Sequence, residues 1–215
     1  MKFSTFDTTF QKALSIEALS LDEARELYLH APLSQLMFNA NEIRKTYRND
    51  GKVSWIIDRN VNITNVCIAR CKFCNFHRLI NQEGTYITTI EEYKQKIDEM
   101  ITIGGNQLLL QGGLHPKLGL DFYANLFKEL KKNYPSLKLH ALGPPEIHHI
   151  ARLEKTSYND VLLTLQKAGL DSLPGAGAEI LSDRVRGLLS PGKCKSHEWL
   201  DVMREAHKLG LTTSA

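Results

Sequence analysis

The sequence predicts an α/β protein: a (β/α) barrel that is open and incomplete toward its C-terminus and is preceded by a helical cap. Three observations predict it. After Gly51 strand-like and helix-like patterns alternate, which implies parallel strands joined by right-handed crossovers. Each unusual motif falls just after a strand-like run, where folds of this class keep their chemistry. The chain has 215 residues, fewer than the roughly 250 of a closed barrel, and Leu211 to Ala215 reads as a strand just beginning. We therefore expect a helical segment over 1–50 and a barrel core over 51–215 that is truncated and lacks its closing strands.

Local signals justify each element. From Ser15 to about Arg48 the text is helical and free of glycine. Ser20 with Glu23 forms a capping box, and Leu21, Ala24, Leu27 and Tyr28 recur at helical spacing. Pro32 interrupts this helix, a second is expected from Ser34 toward Arg48, and Asn49-Asp50-Gly51 marks a turn. Val53–Ile57 and Val61–Val66 read as strand-like, the second leading into a cysteine-rich loop. A helix from Thr89, boxed by Glu92, carries Ile90, Tyr93, Ile97, Met100 and Ile101 on one face and ends at Gly104-Gly105. A strand over 107–110 closes on Gln111-Gly112-Gly113, and a helix from Asp121 to Asn133 is stopped by Pro135. The strand over 138–142 ends in Gly143-Pro144-Pro145. Ser157 caps a helix with Val161, Leu162, Leu165 and Ala168 inside, and Gly169 ends it. A strand over 170–173 runs into Pro174-Gly175-Ala176-Gly177-Ala178-Glu179, and a helix from Ser196 to Leu209 precedes the final strand.

Composition narrows the function. Twenty-seven Lys and Arg against 24 Asp and Glu leave a net charge of +3, too small to mark a nucleic-acid or membrane-surface partner. No apolar run approaches the ~20 residues that cross a bilayer, and Met1 to Phe10 lacks the basic start and apolar stretch of a signal peptide. A cytoplasmic location is expected. In a reducing compartment, clustered thiols point to metal or redox chemistry rather than to disulfides.

Cys67, Cys71 and Cys74 form C-x3-C-x2-C after a strand. Four thiolates saturate a 4Fe–4S cluster and suit it to electron transfer, whereas three leave one iron open to a small molecule. A second reading adds His77 to make a tetrahedral zinc set in a binding module. Cys194 reads as a plain loop cysteine, with a fourth-ligand role as the alternative.

The triad, with Phe73 before its last cysteine, resembles the radical S-adenosylmethionine (SAM) superfamily. The order of Ser54 to Asn60, Thr64 to Cys67, Gln111 to Pro116, His140-Ala141, Pro144 to Ile147 and Gly177 to Leu181 narrows the resemblance to the cyclic dehypoxanthine futalosine synthases of menaquinone biosynthesis. Aminofutalosine synthases and the two deazaflavin-chromophore enzymes are near relatives. Ile63, where an aromatic is usual, and Ala176, where a glycine is usual, depart from the pattern.

The resemblance implies a 4Fe–4S cluster on Cys67, Cys71 and Cys74 whose open iron chelates SAM, and reductive cleavage of SAM to a 5′-deoxyadenosyl radical. In this family's reaction that radical takes the C4′ hydrogen of dehypoxanthine futalosine. The resulting carbon radical adds to the benzoate ring, and loss of a proton and an electron restores aromaticity. Gly112 and Gly113 are then expected to receive the SAM amino group, Glu179 its ribose, and Phe73 to pack over cluster or adenine. The alternatives are a positive-φ turn, a helix N-terminal acid and a core aromatic, respectively. His140 and Glu146 are the candidate bases, against a hydrogen-bonded barrel histidine and a helix cap. Arg59, Arg184 and Arg186 could each meet an anionic benzoate, and Asp58 could instead pair with Arg59. The small-molecule substrate and an electron donor such as a flavodoxin or ferredoxin are the expected partners. As truncated, the chain is expected not to complete its active site.

Overall fold

The computed structural model describes residues 6–214, so the last residue of the expected C-terminal strand lies outside it. The chain divides after Trp55 into two compact units. In the first, α1 (Asp7–Leu14), α2 (Leu21–His30) and α3 (Leu33–Tyr47) are short helices. The Ser20–Glu23 capping box starts α2 as expected, and Lys12 Nζ reaches Glu23 Oε2 at 2.8 Å. Phe10 and Leu27 are its buried apolar side chains among the described residues, while Leu21, Tyr28, Met37 and Phe38 are exposed.

The second unit contains β1 (Asp58–Asn62), α4 (Ile90–Thr102), β2 (Gln107–Gln111), α5 (Leu120–Asn133), β3 (Lys138–Ala141), α6 (Pro144–Glu154), α7 (Tyr158–Ala168), β4 (Ser172–Leu173), α8 (Asp183–Leu189), α9 (Ser196–Lys208) and β5 (Thr212–Thr213). The strands form one parallel sheet in the order β1-β2-β3-β4-β5. It is the open arc of a (β/α) barrel.

Side-chain alternation divides the sheet into two faces. Val61, Leu108, Leu110, Leu139, Ala141 and Leu173 are buried in the core with Tyr93, Ile97, Phe127, Ile147, Ile150, Val161, Leu165 and Val202 from the helices. Burial of each large side chain contributes roughly 1.5–3 kcal/mol, so this face holds the arc together. The other face carries Asn60, Asn62, Gln107, Gln111, His140 and Ser172, in register across the sheet. An amide- and hydroxyl-bearing face packs poorly as a dry core and suits water or a polar ligand.

Two expectations are corrected. Residues 53–57 form no strand, and Val53 and Trp55 are largely exposed. The first strand is Asp58–Asn62 rather than 61–66, because residues 64–66 leave the ladder to bridge the cysteine loop. Helix α1 adds to the expected elements, while α6 and α8, expected only as the alternative settings of Glu146 and Glu179, are both present; α6 starts with two prolines, which fit a first helical turn where no backbone donor is needed.

Candidate functional site

The site is assembled from segments that follow β1, β2, β3 and β4. After β1 the chain is held by its own polar side chains. Thr64 Oγ1 donates to Tyr86 O at 2.6 Å and accepts from Val66 N–H. Asn65 Nδ2 donates to Gly84 O at 2.8 Å, and its Oδ1 accepts from Tyr86 N–H. Both side chains are buried, so these bonds satisfy groups that would otherwise be costly. Cys67 N–H then donates to Arg78 O, Ile68 N–H to Leu114 O, and Cys74 N–H to Cys71 O. A second clasp comes from the end of α8 and the turn after it, where Lys72 N–H donates to Leu189 O and Gly192 N–H to Ala69 O.

This scaffold sets the three thiols around one cavity of about 250 Å³, shared with Phe73, His77, Gly112, Gly113, Glu146, Glu179 and Lys193. Close packing sets its glycine wall. A Cβ on Gly113 would lie 2.2 Å from Val66 O and 2.8 Å from Cys67 Cβ, which no side chain tolerates. Gly112 is less confined, with Thr64 N 3.1 Å from its hypothetical Cβ. Both have ordinary φ, so close approach and not a left-handed turn explains them. Ala176, flagged as a departure, lines the cavity, and its methyl would stand 3.0 Å from a Cβ on Gly143. The glycine at 143 accommodates the methyl at 176. Ile63, the other departure, is fully buried in the core.

Burial governs the electrostatics. The Glu146 carboxyl is buried, and desolvation pushes its pKa up to about 7. Its own backbone N–H, Lys193 and the N–H groups of Gly112 and Gly143 oppose that rise. A carboxyl near 7 can hold or release a proton at neutral pH. Burial raises the Cys67 thiol as well, against the N–H groups of Ala69 and Leu114, which favour thiolate; Ala69 N is 3.4 Å from Cys67 Sγ.

The expected site residues are not all brought together. The cysteines, Phe73, Gly112, Gly113, Glu146 and Glu179 share the cavity. His140 does not line it; it lies on the polar sheet face with Nδ1 2.7 Å from Ser172 Oγ, and burial lowers its pKa. Phe73 is 54% exposed and so is no core aromatic. Glu179 sits at φ 35°, ahead of the Ser182 cap of α8. His77 lines the cavity, its Nδ1 2.8 Å from Cys74 O. Cys194 is buried outside it, with its thiol pushed up to about 11 by burial.

Two arginines are committed elsewhere. Arg59 pairs with Glu99 at 3.2 Å and not with Asp58, since neighbours on a strand face opposite ways. Arg186 is buried and donates to the carbonyls of Gly177, Ala178, Ile180 and Cys194, which removes it as a ligand for benzoate.

Sequence reasoning missed Lys193. Its Nζ is 2.5 Å from Glu179 Oε1 and 5.5 Å from the Phe73 ring centroid, and it lines the cavity. It lies in Pro191-Gly192-Lys193, a turn whose glycine packs on Ala69; that turn chemistry was the available signal.

The donor set fits an iron–sulfur group. Three thiols line one walled cavity; burial holds Cys67 toward the thiol, and the N–H groups of Ala69 and Leu114 are placed to bond its thiolate once a cation draws the proton off. Among the described residues no three or more His, Cys, Asp or Glu side chains are arranged to hold a single metal ion. A cluster seats each thiolate on a different iron and so takes a wider spread than one tetrahedral ion.

A parallel α/β arc with a three-cysteine loop after its first strand defines a class of barrel proteins with a thiol-lined pocket at the strand ends. The chain belongs to the radical SAM superfamily, whose profile matches residues 61–215. It is 34% identical over 211 residues to the cyclic dehypoxanthine futalosine synthase of Halalkalibacterium halodurans, covering 98% of this chain and 57% of that protein. It is also 34% identical over 223 residues to the 5-amino-6-(D-ribitylamino)uracil--L-tyrosine 4-hydroxyphenyl transferase of Nostoc sp., covering 100% of this chain and 57% of that one. The chain thus spans little more than half the length of these relatives. Among solved structures, HydG, a maturase of the FeFe-hydrogenase, superposes with a TM-score of 0.68 at 17% identity, covering 96% of this chain and 45% of HydG. That likeness concerns the fold. No described helix is long and apolar enough to cross a membrane.

Proposed function

We propose that the protein is a radical SAM enzyme that cyclises dehypoxanthine futalosine to cyclic dehypoxanthine futalosine in menaquinone biosynthesis. One observation carries the enzyme class: the thiols of Cys67, Cys71 and Cys74 share a cavity with glycine backbone, Glu146 and Glu179 from the segments after consecutive strands, and with Lys193 from the turn after α8. A 4Fe–4S cluster bound there with SAM supplies the radical chemistry. The chain's residues position and exclude. Cys67, Cys71 and Cys74 hold the cluster, and Gly112 and Gly113 keep the wall low enough for the SAM amino group. Glu179 accepts the ribose hydroxyls, while Phe73 and Lys193 form the rim. Glu146 is the base favoured by position, with a pKa near neutrality. His140 lies along the polar sheet face and is the base for a substrate bound there. Residues 1–50 are assigned to the cap and 51–215 to the core, and an electron donor such as a flavodoxin or ferredoxin supplies the reducing electron from the cytoplasm.

The motif order and the Halalkalibacterium halodurans relative favour the cyclase. The transferase of Nostoc sp., equal in identity and coverage, supports a second reading: coupling of a 4-hydroxyphenyl group from tyrosine to 5-amino-6-(D-ribitylamino)uracil. Product mass separates them. The full-length protein, reconstituted anaerobically with iron, sulfide and SAM, should convert dehypoxanthine futalosine to a product of unchanged carbon count and two fewer hydrogens. A 4-hydroxyphenyl adduct from the uracil and tyrosine would establish the second reading, and absence of SAM cleavage would defeat both.

A further inference from the structure

Cys67 stands between two cavities. Besides the site cavity it lines a groove of about 440 Å³ with Ile68, Arg70, Leu79, Ile80 and Pro116, and Cys67 is the one residue common to both linings. The groove has an apolar floor, and Ile68 and Leu79 are 44% and 38% exposed. Arg70 lines it, Arg78 and Lys117 adjoin the lining residues Leu79 and Pro116 along the chain, and these three and Lys72 are all exposed. None of the four pairs with a carboxylate among the described residues. Within residues 67–88 and 113–119 the only acid is Glu83. These two segments therefore carry three more positive than negative charges, as large an excess as the whole chain's +3, and Glu154 of α6 lies against Gly119 at the end of the second. Arg70 also stands at φ 50°, a left-handed conformation that favours glycine or asparagine, yet the position carries a cation.

We propose that this groove and its cationic rim dock a small acidic one-electron redox protein, which passes its electron through the Cys67 side of the site. The inference rests on the reading of Cys67 as a cluster ligand. In the transfer the donor's reduced flavin or iron–sulfur centre loses one electron and the cluster gains one; no bond in this chain forms or breaks. The chemistry of the surface matches that partner. Redox encounters use small interfaces, for which an apolar floor of this size suffices. Complementary charge at the rim speeds and orients the encounter without making it tight. The opposite cavity stays free for SAM and substrate, so reduction need not displace either.

The test uses the full-length reconstituted protein and an acidic flavodoxin, photoreduced, as the probe. Its rate of cluster reduction should fall about tenfold or more from about 0.01 M salt, where charges act over roughly 30 Å, to about 0.15 M, where they act over roughly 8 Å. A triple variant, Arg70→Gln with Lys72→Gln and Lys117→Gln, should show a similar loss at low salt while keeping its iron content and its SAM cleavage with excess dithionite. Flavodoxin rates indifferent to both salt and substitution overturn the docking surface. If the variant loses iron, the salt dependence of the unmodified protein decides. If dithionite supports no SAM cleavage in the unmodified protein, the cluster reading itself fails, a result distinct from failed docking, and the proposal falls with it.

Discussion

At Gly113 a methyl group has nowhere to go, because Val66 O and Cys67 Cβ lie within van der Waals contact of it on two sides and both belong to the clasped loop. Gly113→Ala should therefore destabilise the protein by about 1–3 kcal/mol and lower the iron bound on reconstitution, read by thermal melting and iron assay; Gly112→Ala, with looser neighbours, should do less of both. Glu146 makes a separate prediction through pH. Its folded pKa, about 7, is raised above the ordinary 4.5 by burial. The stability that its neutral form contributes is thus present below pH 4.5 and lost as pH rises toward and through 7. About 2.5 pKa units correspond to roughly 3 kcal/mol. Glu146→Gln, which cannot ionise, should accordingly match the unmodified apoprotein near pH 4.5 and exceed it by about that amount at pH 8 in urea titrations. Equal stability of the two at pH 8 would show that the carboxyl is not desolvated. The Cys triad, the paired glycines and Glu146 were legible because each is a residue type with one outstanding property at a strand end. Lys193 was not, since a lysine near a turn is ordinarily solvated and only the fold carries it over Phe73.

Between elements, Arg186 does the work a metal or disulfide does in other loops. From α8 it donates to the carbonyls of Gly177, Ala178 and Ile180 on one side and Cys194 on the other. It thereby fixes the segment that carries Glu179 to the segment that carries Lys193. Each carbonyl left unsatisfied costs about 1–3 kcal/mol, so Arg186→Met should cost at least about 3 kcal/mol, and amide exchange should quicken first in residues 174–195. Unchanged exchange there would mean that the loop holds itself. The helices α4, α5, α7 and α9 were readable from 3.6-residue periodicity and their caps. Residues 53–57 misled because a run of Val, Trp and Ile resembles a strand wherever it lies; strand propensity reflects fit to a half-buried pleat, and here no neighbouring strand supplies one. Helix α8, only seven residues long, is too short for periodicity to reveal.

For the molecule as a whole, the polar sheet face is the side of an arc turned away from the helices, where Asn60 is exposed and Asn62, Gln107, Gln111 and His140 are half-buried. Water competes with any substrate there for the same amide and hydroxyl groups, and radical chemistry needs water excluded. With that face open to water, residues 1–215 should bind iron at the cysteines yet give at most traces of cyclised product; robust turnover by the 215-residue chain, measured by product mass, would refute this.

By itself the sequence determined the parallel α/β class, the cysteine triad and the strand ends at which chemistry gathers, because hydrophobic period, caps and turn residues are local and act over a few positions. Only the tertiary structure decided which of the singled-out residues share a cavity. Packing brought Glu146 and Lys193 to the thiols, withdrew Arg186 into the loops and left His140 on the open sheet face. Proximity between residues dozens of positions apart depends on register and crossover geometry, which no local pattern encodes.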